Sequence, residues 1–439
     1  MIQLDASKYT SLLQTLDPVR VNGKVTQIIG LMVESQGPEA NIGDVCHIHP
    51  HRGCKPLPAE VVGFRDNKVL LMPLGDLQSI GPGCEVVSTG RPLTVKVGQE
   101  LLGKVLNGLG EPLDGSKLSS NMLRYSTHNV PSNPLNRPRV QEPLGVGVRC
   151  IDGLLTIGKG QRVGIFAGSG VGKSTLMGMI ARNTSADVNV IGLIGERGRE
   201  VLDFIERDLG PEGLARSVVV VATSDQPALI RIKGALITTA IAEYFRDRGM
   251  NVMLMMDSVT RYAMAMREVG LAVGEPPATR GYTPSVFANL PKLLERAGTS
   301  PKGSITAFYT VLVDGDDMNE PIADTVRGIL DGHIVLSRQL ANRGHYPAID
   351  VLSSISRVMK EIVPEEQQLA ADRLKKWLSV YKNSEDLINI GAYQTGSNQE
   401  IDTAISYIDN IWNFTSQKVT EKVDFQNVQE RLIQEFLGG

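Results

Sequence analysis

The chain has 439 residues, of which 45 are basic and 48 are acidic, and its formal net charge is −3. This length predicts two or three domains. The near-neutral charge and the 5% of aromatic residues argue against a basic surface or a base-stacking platform, so we expect no nucleic-acid partner.

The sequence shows neither a secretory signal nor a membrane helix, and this predicts a cytoplasmic protein. Its first residues, "MIQLDASKYTSLLQ", lack a basic region followed by an apolar run, and no apolar run approaches the ~18 residues of a membrane helix. The four cysteines are scattered without a CxxC pair, which is typical of reduced thiols.

The first 90 residues predict a helix followed by a small β-barrel. Within residues 8–17 an apolar stripe recurs at helical spacing, formed by Tyr9, Leu12, Leu13 and Leu16. This helix either packs on its own domain or docks a partner. Short β-rich runs separated by Gly, Pro and Asp follow between residues 23 and 90, and this spacing is typical of an antiparallel barrel.

The segment "CHIHPHRGC", Cys46 to Cys54, raises the question of a metal site. In an extended strand His47, His49 and His51 would share one face. The proline and the Arg-Gly pair within the segment favour a turn, and structural zinc sites usually take ligand pairs from two separated segments. We therefore interpret the segment as a surface loop, with a functional metal site as the alternative.

From about residue 145 to 360, apolar runs such as "QRVGIFAG", "NVIGLIG", "SVVVVAT" and "SITAFYTVL" alternate with helical stretches. Near-continuous apolar runs are expected of parallel strands buried on both faces, which predicts an α/β sheet covered by helices. After Pro364 the chain is predicted to be helical. The two apolar stripes there are Ala370, Leu374, Trp377, Leu378, Tyr381 and Ile401, Ala404, Ile405, Ile408, Ile411. The predicted domains are 1–90, 91–360 and 361–439.

The segment "AGSGVGKST" matches the phosphate-binding pattern G-x-x-x-x-G-K-[ST] except at its first position, which is Ala167. It lies between an apolar strand and a helix, where backbone N–H groups and the helix N-terminus bind phosphate. A methyl group is tolerated at Ala167 if its φ stays negative. Lys173 is expected to reach the β- and γ-phosphates, and Ser174 to bind Mg²⁺. The predicted nucleotide-binding residues of the loop are Gly168, Ser169, Gly170, Val171, Gly172, Lys173, Ser174 and Thr175.

Two carboxylates that follow apolar strands favour ATP hydrolysis over simple binding. Asp257 ends the strand in "VMLMMDSVTRYA", where it is expected to support Mg²⁺. Glu196 follows the strand in "VIGLIGERGRE", where it is expected to activate the attacking water. The structural alternatives are a helix cap for Asp257 and a salt bridge from Glu196 to Arg197 or Arg199.

Several segments together carry a family resemblance. "AGSGVGKST", "GERGRE", "MMDSVTRYA", "PPATRGYTPSVFANLPKLLERAG", "DGHIVLSR" and "YPAIDVLSSISRV" resemble the ATPases of type III protein export, flagellar and injectisome, which are similar to the catalytic subunits of rotary ATP synthases. The resemblance spans nearly the whole chain. It implies an N-terminal β-barrel, a RecA-type P-loop core, a C-terminal helical domain, and a homohexamer with ATP sites between subunits.

The resemblance also implies roles for single residues. It makes Lys173, Glu196 and Arg357 catalytic, with Arg357 as an arginine finger that enters the neighbouring subunit's site. It places Tyr346 beside the adenine ring, and Arg197 and Arg261 near the γ-phosphate. The structural alternatives are an ordinary helix-surface arginine for Arg357 and a core aromatic residue for Tyr346. Ser174 and Asp257 keep the Mg²⁺ role given above.

The partners implied by the resemblance are a stator-type regulator, a central coiled-coil stalk, chaperone–substrate complexes and a membrane export gate, with the ATPase peripheral to the inner face of the cell membrane. Residues 268–290, rich in Gly and Pro, would line the ring channel and contact the stalk.

We favour a flagellar system over an injectisome. A rotary synthase catalytic subunit is the next hypothesis, and it is disfavoured because no segment of the chain resembles "DELSEED". A nucleic-acid translocase and a noncatalytic ring subunit are the remaining hypotheses. The near-neutral charge and the few aromatic residues disfavour the translocase.

Overall fold

The structure is a computed structural model that describes residues 21–438 except residues 52, 53, 314 and 316. The predicted helix at residues 8–17 therefore lies outside the described residues. The described chain forms two compact units, one of residues up to Leu93 with Ala272–Gly274, the other of Thr94–Leu271 and the residues from Glu275 on. Among the described helices, none combines the length and the apolar character needed to cross a membrane.

The first unit contains a closed antiparallel barrel with the strand order β1-β2-β5-β4-β3-β6. Its strands are β1 (Gly23–Ile29), β2 (Met32–Gln36), β3 (Asp44–His49), β4 (Leu57–Arg65), β5 (Lys68–Pro73) and β6 (Glu85–Pro92). Closure pairs the edges that an open sheet would expose. The predicted barrel is confirmed, and its interior is filled by Val25, Val33, Cys46, Ile48, Ala59, Val61, Val69, Leu71, Cys84 and Val86.

The segment that begins at Cys46 is a strand in its first half, so its interpretation as a surface loop is wrong for residues 46–49. Strand β3 pairs with β4 on one side and β6 on the other. Because neighbouring side chains point to opposite faces, Cys46 is buried in the barrel and His47 is exposed. Burial raises the pKa of the Cys46 thiol to about 11. Among the described residues no three His, Cys, Asp or Glu side chains cluster to hold a metal.

Within the described residues, the second unit carries thirteen further strands, most of them short. They are β7 (Thr94–Val97), β8 (Val105–Asn107), β9 (Leu123–Ser126), β10 (Pro143–Leu144), β11 (Ile157–Gly158), β12 (Arg162–Ala167), β13 (Val188–Ile194), β14 (Ser217–Ala222), β15 (Asn251–Asp257), β16 (Gly298–Thr299), β17 (Ser304–Leu312), β18 (Gly332–Leu336) and β19 (Ile355–Ser356).

Helices cover the strands of the second unit and form the C-terminal part of the chain. They are α1 (Arg149–Leu154), α2 (Lys173–Asn183), α3 (Gly198–Asp203), α4 (Gly210–Ala215), α5 (Ala228–Asp247), α6 (Val259–Val273), α7 (Pro284–Leu294), α8 (Pro321–Ile329), α9 (Arg338–Asn342), α10 (Met359–Ile362), α11 (Glu365–Asn389), α12 (Gln399–Thr415) and α13 (Phe425–Leu437). A π-helical turn spans Phe204–Leu209, and 3-10 turns span Gln99–Leu101, Pro134–Asn136 and Thr279–Gly281.

A nine-stranded sheet forms the centre of the second unit, with the order β19-β18-β12-β17-β15-β13-β14-β8 and β16 paired to β17. The strands from β18 to β8 run parallel, and β16 and β19 add antiparallel pairs. Strands β13 and β14 are buried along their whole length, as expected of parallel strands covered on both faces. The predicted α/β core is confirmed, and the carboxyl ends of β12, β13 and β15 meet at one edge of the sheet.

The C-terminal helices pack on the α/β core instead of standing apart from it. One hydrophobic cluster runs from Leu154 in α1 to Leu374, Ile411, Phe414 and Phe436 in the last three long helices. Both predicted apolar stripes contribute to it, and the ring of Trp377 stacks on that of Tyr407 with centroids 3.9 Å apart. The helical C-terminal part is confirmed, whereas the exact division at residues 90 and 360 stays a prediction.

Candidate nucleotide site

The phosphate-binding loop connects β12 to α2. Ala167 is the last residue of β12 and pairs with Leu312 on one side and Leu336 on the other. Because this pairing holds its backbone extended, a side chain is tolerated at this position of the pattern. Gly172 caps α2 with φ of 88°, a left-handed conformation that favours glycine. The free N–H groups and positive dipole end of the helix that follows form an anion-binding cradle.

Lys173 begins α2 and lies between two carboxylates. Its Nζ is 2.5 Å from Asp257 Oδ1 and 3.4 Å from Glu196 Oε1. Burial lowers the pKa of the Lys173 ammonium, but the two carboxylates outweigh burial and raise the pKa above its usual value. A permanent positive charge is therefore held at the mouth of the cradle, where a triphosphate carries negative charge.

Glu196 lies just beyond the end of β13, the strand next to β15. Burial is the largest cause that raises the pKa of Glu196, to about 7, and the Asp257 charge adds to it while Lys173 opposes it. The preceding Gly195 has φ of 75°, and a Cβ there would lie 2.6 Å from Arg261 Cβ. The side chain of Arg261 thus packs over the backbone that carries Glu196. A carboxyl group with a pKa near 7 is well suited to act as a general base.

Asp257 ends β15 and is held by a neighbouring strand. Thr310 in β17 donates its hydroxyl to Asp257 Oδ1 at 2.7 Å, and both side chains are buried. This bond fixes the carboxylate that contacts Lys173. Sequence reasoning missed Thr310, although a hydroxyl residue within the mainly apolar run "SITAFYTVL" is a signal for a buried polar partner.

The oxygen ligands at the end of the loop suit Mg²⁺ with a nucleotide bound. Ser174 lies in the first turn of α2, and Asp257 lies beside Lys173 in the same edge. Mg²⁺ commonly takes one or two protein oxygens and completes its shell with phosphate oxygens and water. With one hydroxyl and one carboxylate from the protein, this donor set fits an ion that is bound together with phosphate oxygens.

Tyr346 lies beside the phosphate-binding loop. Two of its ring carbons lie 3.4 Å from the position of a Cβ built on Gly172, and the side chain is 44% exposed. On the loop itself, the carbonyl of Ser169 accepts a hydrogen bond from Arg338 Nη1 at 3.1 Å. Arg338 was missed by sequence reasoning; its signal is its position two residues after the end of β18, the strand next to β12.

The remaining loop residues form the cradle between strand and helix. Val171 is buried, Ser169 and Gly170 are exposed, and Thr175 is half-buried in the first turn of α2. Gly168 follows Ala167 and is buried. Arg197, predicted near the γ-phosphate, caps α3 and is 81% exposed, with Glu200 at 3.7 Å.

Arg357 does not lie at the same edge of the sheet. It follows β19, which pairs antiparallel with the beginning of β18, and its N–H donates to the carbonyl of Asp331 at 3.0 Å. The Asp331 carboxylate in turn binds Arg162 at the start of β12. Ala167 is five residues further along β12, about 16 Å at the rise of a strand. The exposed Arg357 is therefore separated from its own chain's phosphate-binding loop.

Three family models match three separate parts of the chain. The ATP synthase alpha/beta family models match residues 25–90 as the beta-barrel domain and 147–356 as the nucleotide-binding domain, and the T3SS EscN ATPase C-terminal domain matches residues 363–434.

Relatives match over nearly their full length. The flagellum-specific ATP synthase of Bacillus subtilis is 62% identical, with 93% of this chain and 94% of the relative covered. The type 3 secretion system ATPase of Xanthomonas euvesicatoria is 52% identical, with 96% and 95% covered. A solved structure of the assembled ATPase EscN from enteropathogenic E. coli, in complex with its central stalk EscO, has 47% identity and a TM-score of 0.87, with 94% of this chain and 100% of that chain covered.

Proposed function

The chain belongs to the family of type III protein-export ATPases, and we propose that it hydrolyses ATP as a homohexameric ring that energises the export of flagellar components. Membership of this family makes the chain a P-loop ATPase. The observation that carries the proposal is the convergence of Lys173, Glu196 and Asp257 beside the phosphate-binding loop.

The residues of this site divide the hydrolysis between them. The oxygen of a water attacks the γ-phosphorus, and the bond from that phosphorus to the bridging oxygen of ADP breaks. Glu196 takes the proton of the water, which its raised pKa favours. Lys173 and the backbone N–H groups from Gly168 to Thr175 stabilise the charge on the phosphate oxygens. The products are ADP and inorganic phosphate.

Ser174 and Asp257 are the residues that would hold Mg²⁺. When bound, the ion neutralises charge on the β- and γ-phosphate oxygens. Thr310 keeps the Asp257 carboxylate in place through its hydrogen bond. The ammonium of Lys173 contacts Asp257, so we expect it to exchange part of this contact for phosphate when ATP binds.

Arg357 is proposed to complete the site of the next subunit. Its exposure and its separation from its own loop support a role across an interface. Because one chain contains both Glu196 and Arg357, identical copies in a ring can complete one another through heterologous contacts. Tyr346 is proposed to contact the adenine ring, and Arg261 and Arg197 to lie near the γ-phosphate.

The flagellar assignment is supported by the higher identity to the flagellum-specific relative than to the type 3 secretion relative, 62% against 52%. The injectisome system is the alternative. The other proposed partners are a stator-type regulator, chaperone–substrate complexes and a membrane export gate, reached from the cytoplasmic face of the membrane. EscN has been solved with its central stalk EscO. We propose a comparable stalk for this chain, contacted by residues 268–290.

The ATPase proposal is tested by steady-state turnover of the purified full chain as a function of its concentration. Wild-type activity per chain should rise as subunits assemble, and Lys173→Ala should abolish it. Lys159→Ala is the matched control, because Lys159 forms an exposed pair with Glu142 away from the loop. Turnover by Lys173→Ala equal to that of the control would overturn the proposal.

The biological role is tested in a deletion strain scored for motility and for secretion. Loss of motility with normal injectisome secretion supports the flagellar system, and the reverse result assigns the chain to an injectisome. For the stalk, a shortened 268–290 segment should lose stalk-stimulated turnover while basal turnover remains. Unchanged stimulation would remove that segment from the proposal.

A further inference from the structure

The loop that carries Tyr346 is held by the C-terminal helices. Four contacts connect residues 343–350 to them. They are the ion pair of Arg343 with Glu385 at 2.8 Å, the edge-to-face rings of His345 and Trp412 at 5.1 Å, the carbonyl of Tyr346 with the N–H of Gln417 at 2.9 Å, and the ion pair of Asp350 with Lys382 at 3.4 Å. The contact at Gln417 is the one made by the backbone of Tyr346 itself.

Gln417 is fixed in place by its buried amide. Its side chain is only 6% exposed. The Oε1 atom accepts from the N–H of Arg149 at 2.7 Å, and Nε2 donates to the carbonyls of Gly147 and Glu421 at 3.0 Å each. The carbonyl of the preceding Ser416 also accepts from Arg149 Nη1 at 2.9 Å. The segment after α12 is thereby anchored to the loop before α1.

We propose that Gln417 is a positioning residue for the base of ATP, acting through the carbonyl of Tyr346. This inference rests on the proposed function, in which Tyr346 contacts the adenine ring. The hydrogen bonds of Gln417 go to Gly147, Arg149, Glu421 and Tyr346, which lie outside the phosphate-binding loop. Gln417 joins the backbone of Tyr346 to Gly147 and Arg149. The ring of Tyr346 is thereby held in place relative to the α/β core.

The expected consequence is a selective loss of base binding. Removing a buried amide leaves its three backbone partners unsatisfied, and the segment that holds Tyr346 can then relax. Lys173 and the loop N–H groups are untouched, so binding of a phosphate chain alone should not change. A general loss of folding would weaken both kinds of ligand together.

The test compares ADP with inorganic tripolyphosphate as ligands of the full chain. Gln417→Met, which keeps a similar volume, should weaken ADP binding about tenfold and leave tripolyphosphate within about twofold. The matched control is Gln367→Met. Gln367 is another buried amide, with bonds to Asp152, Gly153 and Thr156, but it does not contact the Tyr346 loop. Equal effects on ADP from both variants would overturn the proposal.

A double-mutant cycle tests whether Gln417 acts through Tyr346. In a Tyr346→Ala background, Gln417→Met should change ADP affinity by less than about twofold, since non-additivity marks residues that act through one another. Full additivity would overturn the inference. If Tyr346→Ala alone leaves ADP binding unchanged, the proposed base contact fails, which is a separate result. If Gln417→Met does not fold, Gln417→Asn, one methylene shorter, is carried through the same cycle with the same criteria.

Discussion

The two ends of the central sheet present opposite environments. At the carboxyl edge Lys173, Glu196 and Asp257 are largely buried and contact one another within one chain. At the other end Arg357 is exposed beside Asp331, directly after the antiparallel edge strand β19. Both ends carry charged residues expected of an ATPase. Only those at the carboxyl edge lie beside the phosphate-binding loop of their own chain.

This difference separates the part of the site that forms when one chain folds from the part that requires a second chain. The contacts of Lys173 form because three parallel strands end at one edge, so they exist in a single chain. Arg357, about 16 Å along the strand from its own loop, is the residue proposed to act on the γ-phosphate bound by another copy.

Arg357→Ala should give the largest loss, lowering kcat by about 10³ to 10⁵, because an arginine finger stabilises charge only in the transition state. Binding of ADP should change little, because the residue lies away from its own loop. Steady-state turnover and nucleotide titration of the assembled protein measure both quantities. Arg207→Ala removes an exposed arginine that pairs with Asp208 and serves as the control. A loss below about tenfold would assign Arg357 to the surface and weaken the contrast between the two ends.

Glu196→Gln should lower kcat by about 10² to 10⁴, because the general base is replaced by a group of nearly equal size that cannot accept the proton. ATP binding should remain, since the amide no longer opposes the phosphate charge. Single-turnover measurements separate these two effects. Glu142→Gln, at the exposed pair with Lys159, is the control. Retained turnover would support a noncatalytic role for Glu196.

The pH dependence should report the raised pKa of Glu196, about 7. The carboxylate is the active form, so kcat/KM for ATP should rise with pH and level off above about 7, with about a tenfold loss one pH unit below. The residual activity of Glu196→Gln supplies the baseline, because it retains the ionisation of ATP without that of the base. Superimposable profiles for wild type and variant would show that another group titrates.

Thr310→Val should have a smaller effect, about fivefold on kcat, because it removes one hydrogen bond to a carboxylate that stays buried. Thr306→Val is a close control. Thr306 lies on the same strand and is also buried, but its hydroxyl accepts from Gly160, away from the nucleotide site. If both variants lose activity equally, the loss reflects the packing of β17 instead of the position of Asp257.

The site at the carboxyl edge of the sheet can largely be predicted from the sequence alone. The pattern around Lys173 and the apolar runs that end near Glu196 and Asp257 depend on local periodicity and motif spacing, which sequence preserves. The hydrogen bond from Thr310 could not be predicted, because it depends on the order β17-β15 in the sheet, set by long-range pairing.

Two other features also depend on contacts between residues that are far apart in the sequence. Gln417 lies 71 residues after Tyr346, and nothing in its local sequence indicates a buried amide that binds the loop before α1. The turn-forming residues of the segment at Cys46 favour a loop, whereas pairing with two neighbouring strands holds residues 46–49 extended. Pairing across the barrel outweighs local turn preference.

The central claim, that one chain's loop is completed by the next chain's arginine, is tested most directly by mixing two inactive variants. Chains with Lys173→Ala keep Arg357, and chains with Arg357→Ala keep the loop. In randomly mixed rings at equal amounts, roughly a quarter of the interfaces should join an intact loop to an intact arginine, since the contacts are heterologous.

Mixing Lys173→Ala with Glu196→Gln is the control, because both changes damage the same half of the site and no interface gains an intact loop. We predict that ATPase activity of the first mixture rises well above the sum of its components, while activity of the control mixture stays at the sum of its components. Activity of the first mixture no higher than that sum, in rings shown to contain both chains, would contradict a site shared between subunits.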